Sequence, residues 1–246
     1  MNKAFYTAGT GMRSFQKDMD IISNNISNIN TVGYKGSRAS FRELLVTEMD
    51  NNEAKNKNHT EGHGVDVTDV QFIMESGQMR QTEYPYDFAI AGDGFFAVSR
   101  DDIKQYTRAG NFKIGTVGNK SYLTAPDGSF VLSDKGKRIE LKKDENGLID
   151  TDTLVEDIGV FLFTNPEGLK PLGNTSFKET EVSGKAKAAN SKKSGTTKLL
   201  QGVLESSSVN LADQMAEVIT AQRAYSLNAK IIQTADQIEE IANNLR

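Results

Sequence analysis

The chain has 246 residues, a formal net charge of −4 and a pI near 5.4, so it allows one large domain or two small ones and offers nucleic acid no global attraction. It contains no cysteine, which excludes disulfides and thiolate-bound metal and fits a protein stable in either redox compartment. No run of about 18 apolar residues marks a transmembrane helix. The opening MNKAFYTAGTGMRSFQKDMD lacks the apolar segment of a cleaved secretory signal, so any export is expected by another route.

The first thirty residues carry an unbroken heptad pattern. Phe5, Met12, Met19 and Ile26 form one series and Ala8, Phe15, Ile22 and Ile29 the other, with Lys3, Arg13, Gln16, Lys17, Asp18 and Asp20 between them. This predicts a helix over about 2–30 with a narrow apolar seam. Its second half, SNNISNIN, is a poor helix former alone and needs a partner. Gly33 is a stop signal. FRELLVTEM, residues 41–49, has a short amphipathic pattern, and residues 50–64 are polar and read as a loop.

From Val65 the period becomes two. Val65, Val67 and Gln71 share one face and Val70 and Phe72 lie near the other, which predicts a strand. FAIAG, FFAVS, KQYTR, FKIG, SYLT, FVLS, RIEL and VFLFT follow as further short strands, separated by turn signals such as Gly92-Asp93-Gly94 and Pro126-Asp127-Gly128. Their spacing predicts an antiparallel β-domain or irregular barrel over roughly residues 65–175. Residues 183–198 hold five lysines and no acid and read as an exposed, flexible linker. LLQGVLE, residues 199–205, is a last strand or extended link. Asn210 is a good N-cap for a final helix, with Asp213 in its first turn.

That final helix carries a matching stripe. Leu211, Met215, Val218, Gln222, Tyr225, Ala229 and Ile232 alternate in steps of four and three, and the stripe then shifts to Ile231, Ala235, Ile238, Ala242 and Leu245. A seam at each end predicts that the two terminal helices pair with each other. Ordering two long helices along narrow seams leaves them marginal in a monomer, so further subunits are expected to cover their remaining faces.

No catalytic constellation emerges. His59 and His63 stand four apart, the spacing of a helical zinc site, but HTEGHG is a poor helix and no glutamate directly follows the first histidine. A solvated loop is the reading adopted. Gly92-Asp93-Gly94 lies between two strand-like runs and opens no helix, so a hairpin turn explains it better than a dinucleotide site. The lysines of 185–198 have no interleaved aromatic residues for nucleic acid.

Three stretches do carry a family signature. SNNISNINTVGYKGSRASF, residues 23–41, closely resembles the amino-terminal signature of the flagellar rod and hook proteins, Asn-Asn-hydrophobic-(Ala/Ser)-Asn-x-x-Thr-x-Gly-(Tyr/Phe)-Lys. Asn24, Asn25, Asn28, Thr31, Gly33, Tyr34 and Lys35 match it. DFAIAGDGFFAV, residues 87–98, with YTRAGNFKI, residues 106–114, is a second match. Residues 201–237, with Gln222-Arg223-Ala224-Tyr225 and Asn228, are a third. Within the family the length and motif set look like the rod proteins rather than the hook protein, whose middle is usually larger. Gln-Arg-Ala-Tyr and FRELLVTEM lean towards the distal rod protein, and the short 41–64 segment leaves the proximal one open.

The resemblance implies an α+β subunit. Paired, coiled-coil-like terminal helices (1–30 and 207–246) would form an inner tube, residues 31–70 would link outward, and a mostly antiparallel β-domain (71–206) would form the outer shell. It implies partners in further copies of the chain, in neighbouring rod and hook proteins and in the flagellar type III export apparatus. It implies no enzymatic activity, cofactor, metal, nucleic acid or small-molecule substrate. The expected seam is Phe5, Met12, Phe15, Met19, Ile22, Ile26 and Ile29 against Leu211, Met215, Val218, Gln222, Tyr225, Ile232 and Leu245, with Gln222, Arg223 and Asn228 fixing register. Two rival classes are a soluble hydrolase, which needs a histidine or carboxylate pair in a pocket, and a monomeric extracellular binding module, which needs termini that fold alone.

Overall fold

The structure is a computed structural model that describes residues 3–48, 60–101, 103–118, 120–141, 154–189 and 197–244. The described residues form three α-helices, α1 (Lys3–Ser27), α2 (Leu154–Asp157) and α3 (Leu211–Asn244), and a set of short strands. The chain divides into two compact units. One comprises residues 1–27, 37–72 and 210–246, and the other comprises residues 28–36 and 73–209.

The first unit is built on the terminal helices. α3 has 34 residues, about 50 Å of helix at 1.5 Å per residue. It begins where the sequence predicts, since the Asn210 side-chain oxygen accepts the Ala212 N–H at 3.0 Å and Asp213 sits in the first turn. α1 ends at Ser27 rather than Asn30. The Ser/Asn-rich close of that segment favours side chain-to-backbone bonds over helix, and Thr31 N–H bonds the Asn28 carbonyl instead, so Ile29 lies beyond the helix. α1 and α3 run antiparallel, Asn25 meeting Gln214 and Gly11 meeting Asn228.

Much of the expected outward link is an antiparallel hairpin of this same unit. Ser37–Glu43 pairs with Val65–Phe72, with a bulge-like shift between Ser40 and Phe41, and the ribbon continues as Val46–Glu48 against Thr60–Gly62. It lies on α1: Ser14 Oγ donates to the Val65 carbonyl at 3.1 Å, Lys17 pairs with Asp66 at 3.1 Å, and Phe15 stacks on Phe41.

The second unit is the β-domain; the expected runs from FAIAG to VFLFT contain strands, and Met79–Gln81, Lys170–Gly173 and Ser176–Lys178 are strands that alternation did not predict. Among the described residues its main sheet has ten strands. Phe95–Arg100 is central: it pairs along one edge with Ile103–Thr107, and along the other with Val160–Leu162 and then Phe130–Val131. The side chains of Phe96 and Val98 enter a core with Phe88, Ile90, Phe112, Leu123, Val131, Ile158 and Val160. Phe96 and Phe112 meet edge to face at 5.1 Å. LLQGVLE becomes two strands, Lys198–Gln201 and Val203–Glu205, which pair with Phe88–Ala91 and Met79–Gln81 on either side of Gly202.

Two expectations are corrected here. Gly92-Asp93-Gly94 is no hairpin turn, because Phe88–Ala91 pairs with Lys198–Gln201 whereas Phe95–Arg100 belongs to the main sheet. The turn carries the chain between sheets, and Gly94, at φ +136°, leaves room for Val160, whose Cγ1 a Cβ would meet at 2.7 Å. The lysine-bearing stretch is not free linker where it is described. Ser183 and Ala189 are buried, and Lys187–Ala188 pairs with Phe161 and Leu162. Its lysine-rich composition hid a short strand, after which Ala189 turns inward. Residues 190–196 lie outside the described residues.

Candidate assembly surface

The two terminal helices touch through a mixed face of small, polar and larger apolar side chains. On α3 the half-buried or buried positions include Gln214, Val218, Ala221, Tyr225, Asn228, Ile232 and Ala235, a series in steps of four and three. On α1 they include Ala8, Gly11, Phe15, Asp18, Ile22 and Asn25, again in heptad steps. Gly11 shows why small residues matter: a Cβ there would stand 3.1 Å from the Asn228 amide. Val218, Tyr225 and Ile232 thus lie on the α3 face that meets α1, and Ile22 is buried. Met12, Met19 and Ile26 are half-buried on the flank of α1.

Asn25 is the polar anchor of this contact. Its Nδ2 donates to the Ser37 carbonyl at 2.7 Å and to Gln214 Oε1 at 2.8 Å, while its Oδ1 accepts the Ser37 N–H at 3.0 Å. The side-chain amide therefore satisfies both backbone groups of Ser37 and ties α1, the hairpin and α3 together. Gln214 Nε2 passes the chain on to Glu217 at 2.8 Å. Close by, burial and then the Glu217 charge push the Asp18 carboxyl above its ordinary value.

Seven other large apolar side chains of α3 point the other way. Leu211, Met215, Ile219, Leu227, Ile231, Ile238 and Ile241 are exposed, Met215 at 55% and Ile241 at 60%. Phe5 and Tyr6 are exposed on α1. Of the other expected seam and motif positions, Gln222, Arg223 and Asn24 are exposed, and Leu245 lies outside the described residues. Isolated exposed apolar residues are ordinary, but a row along one helix marks an interaction surface.

In the β-unit the remaining motif residues lead into one buried cluster, of which Gly33 and Lys35 are members. Asn28 Oδ1 accepts Thr31 Oγ1 at 3.2 Å, closing a turn. Gly33, at φ +65°, brings the backbone against Arg108 and Ala109, where a Cβ would stand 2.5 Å from backbone atoms, and its N–H reaches the Glu205 carbonyl. The Tyr34 carbonyl accepts the Ser208 N–H. Lys35 is buried and donates to Glu205 Oε1 at 2.7 Å and to the Glu75 carbonyl at 2.6 Å.

Glu205, 1% exposed, also accepts from Gly77 N–H at 2.9 Å and from Arg108 Nη1 at 3.3 Å. Arg108 donates in addition to the carbonyls of Ile90 and Gly92 and lies over the Phe95 ring. Burial pulls both cations below their ordinary pKa values, against the attraction of Glu205. Neither Arg108 nor Glu205 was singled out in the sequence. The available signal was a charge inside a strand-like apolar run, which needs a buried partner.

His63 uses its backbone N–H to bond the Leu45 carbonyl, and His59 lies outside the described residues. Among the described residues no helix is long and apolar enough to cross a membrane.

The chain thus combines a terminal helix pair that bears an exposed apolar row with a β-domain that holds a buried ion cluster, the features of a structural protein rather than of a binding pocket. Comparison with known proteins gives that class a family. The model of the flagella basal body rod protein matches residues 5–35, that of the flagellar hook protein FlgE/F/G D1 domain matches 89–158, and that of the flagellar basal body rod FlgEFG protein C-terminal region matches 200–245. Each matched region supplies one member of the buried cluster: Lys35, Arg108 and Glu205. The flagellar basal-body rod protein FlgG of Borreliella burgdorferi is 36% identical over all of this chain and 99% of its own length. FlgG of Bacillus subtilis is 34% identical over the full length of both, and the flagellar hook-basal body complex protein FlhP of the same organism is 28% identical over the same extent. The chain belongs to the FlgG family of flagellar basal-body rod proteins.

Proposed function

We infer that this protein is a structural subunit of the flagellar rod, without enzymatic activity, and that it polymerises helically through its terminal helices. The observation that carries the reading is the apolar row left open along α3 while the opposite face is already closed by α1. Where an uncovered helix face meets a different patch on the next copy the contact is head-to-tail, and such contacts generate helical filaments when they do not close into rings. Supercoiling of the terminal helices belongs to that assembled state. The heptad steps of both buried faces support it.

Magnitudes support polymer over dimer. Seven α3 residues are about half exposed, and covering each is worth roughly 1 kcal/mol. A total of about 7 kcal/mol falls within the roughly 4–15 kcal/mol that association costs. One such contact alone is too weak, whereas a lattice that covers α1 and α3 from several sides is stable. The β-domain would face outward, and neighbouring rod and hook proteins would extend the assembly, with the chain delivered by the flagellar type III route that the resemblance implies. The distal position is favoured over the proximal one by the Gln222-Arg223-Ala224-Tyr225 motif and by the 36% and 34% identity to FlgG rod proteins over the full chain.

The test is a cell whose only copy of the gene encodes Ile219→Asp with Leu227→Asp. These positions are exposed, so the chain still folds. It is expected to give no rod-bearing basal bodies and no swimming. Normal basal bodies in that strain would refute the reading.

A further inference from the structure

The exposed face of α3 has a finer order than its composition suggests. Leu211, Met215, Ile219, Arg223, Leu227 and Ile231 follow one another in strict steps of four. Residues spaced by four form a continuous ridge on a helix, the kind that seats in the groove of a neighbouring helix. The ridge holds five large aliphatic side chains and one cation. Arg223 is exposed and makes no hydrogen bond or ion pair among the described residues.

The same unit contains a site of opposite sign. Asp18, half-buried at the α1–α3 contact, lies in the field of Glu217, and neither carboxylate has a cation bonded to it among the described residues. Glu217 accepts only the neutral Gln214 amide. The nearest basic groups on α1 are turned elsewhere: Lys17 donates to Asp66 at 3.1 Å, and Arg13 acts on the same Asp66. The subunit thus keeps two like charges together and leaves one cation alone inside an apolar ridge. A head-to-tail contact needs two different, complementary patches on each copy, and these two have opposite charge.

We propose that the α3 ridge of one subunit seats on the α1–α3 helix pair of a second copy, with Arg223 reaching that copy's Asp18–Glu217 carboxylates and so fixing which turn of the ridge lies opposite which turn of the helix pair. The aliphatic residues supply adhesion, and the single ion pair supplies register, as one polar position does in a coiled coil. A slip of one turn would bury Arg223 against aliphatic side chains, with no counter-charge. This inference rests on the assembly reading above.

Charge reversal tests it. Arg223→Glu is expected to keep its helix content and melting temperature but to lose at least tenfold in sedimentable polymer. Adding Glu217→Arg, also an exposed position, is expected to restore assembly. Because the chain lacks cysteine, mixing an Arg223→Cys population with a Glu217→Cys population is expected to give a disulfide-linked dimer upon oxidation. The pairing of Arg223→Cys with Gln233→Cys should give none. If Arg223→Glu assembles like the parent chain, or if the reversed pair fails to restore assembly and the 223–217 cross-link does not form, the register contact is wrong while the polymer stands. If Ile219→Asp with Leu227→Asp also assembles normally, the assembly reading itself fails.

Discussion

Replacing Glu205 by Gln tests the buried cluster that joins the three motif regions. The carboxylate is 1% exposed and takes Lys35 at 2.7 Å, Gly77 N–H at 2.9 Å and Arg108 at 3.3 Å. Glutamine keeps the shape and removes the charge, which leaves two buried cations without a counter-ion and turns a donor towards them. Breaking a buried pair in this way costs about 3–5 kcal/mol. For a protein of this size that corresponds to a fall in Tm of roughly 6–20 °C. Lys35→Met removes the surplus cation instead. It leaves Arg108 paired with Glu205 and forfeits only the bonds to Glu205 and the Glu75 carbonyl, a loss of about 1–2 kcal/mol.

The order of the two losses is therefore the test, read by urea unfolding followed through near-ultraviolet circular dichroism. Burial holds the Lys35 pKa below 10.5, so between that lowered value and 10.5 the unfolded chain binds more protons and this group makes stability rise with pH. The Lys35→Met chain should lack that rise. A Glu205→Gln chain within about 1 kcal/mol of the parent, or a Lys35→Met chain that loses as much as Glu205→Gln, would refute the reasoning.

Three further outcomes are expected. Gly33→Ala places a Cβ 2.5 Å from the backbone of Arg108 and Ala109 at φ +65°, and the chain should lose about 3 kcal/mol or more and accumulate poorly on expression. Asn25→Ala leaves both backbone groups of buried Ser37 without their partner and is expected to cost about 2–4 kcal/mol in urea unfolding, whereas exposed Gln222→Ala should stay within about 0.5 kcal/mol. Asp18→Asn relieves burial of a charge next to Glu217. Because the folded pKa of Asp18 is raised above 3.8, the folded state binds more protons just above pH 3.8, and stability from this group falls as pH rises through the raised value. The variant should lose that slope and gain about 0.5 kcal/mol at neutral pH as a dilute monomer, yet assemble less well if Asp18 meets a neighbour's Arg223.

The strands were legible because alternation and turn residues are local signals. FAIAG, FFAVS and SYLT each became strands at Phe88–Ala91, Phe95–Arg100 and Lys120–Thr124. Asn210 as N-cap was legible for the same reason. Helix packing was less so. Heptad reading ranks positions by apolar size, so it chose Leu211 and Met215, both exposed, over Ala221 and Gln214, which lie on the contact with α1. Close helix approach selects small residues, and the larger ones stay free for other contacts. The Lys35–Glu205–Arg108 cluster was beyond local reading altogether. Glu205 lies 97 residues from Arg108 and 170 from Lys35 in the chain, and nothing in periodicity states that they meet. The motif resemblance flagged Asn25, Gly33 and Lys35, but their work became visible only in the folded chain: one satisfies a strand end, one permits a close approach and one neutralises a buried acid.

Methionine oxidation tests the central claim most directly. Met215 lies on the open face of α3 at 55% exposure, and Met79, in the β-unit, is 40% exposed. In the dilute purified chain both should convert to the sulfoxide at comparable rates under mild peroxide. In isolated basal bodies, assembly through the terminal helices is expected to slow Met215 at least tenfold while Met79 remains reactive. Equal oxidation of Met215 in the free and assembled chain would contradict a rod built through α3.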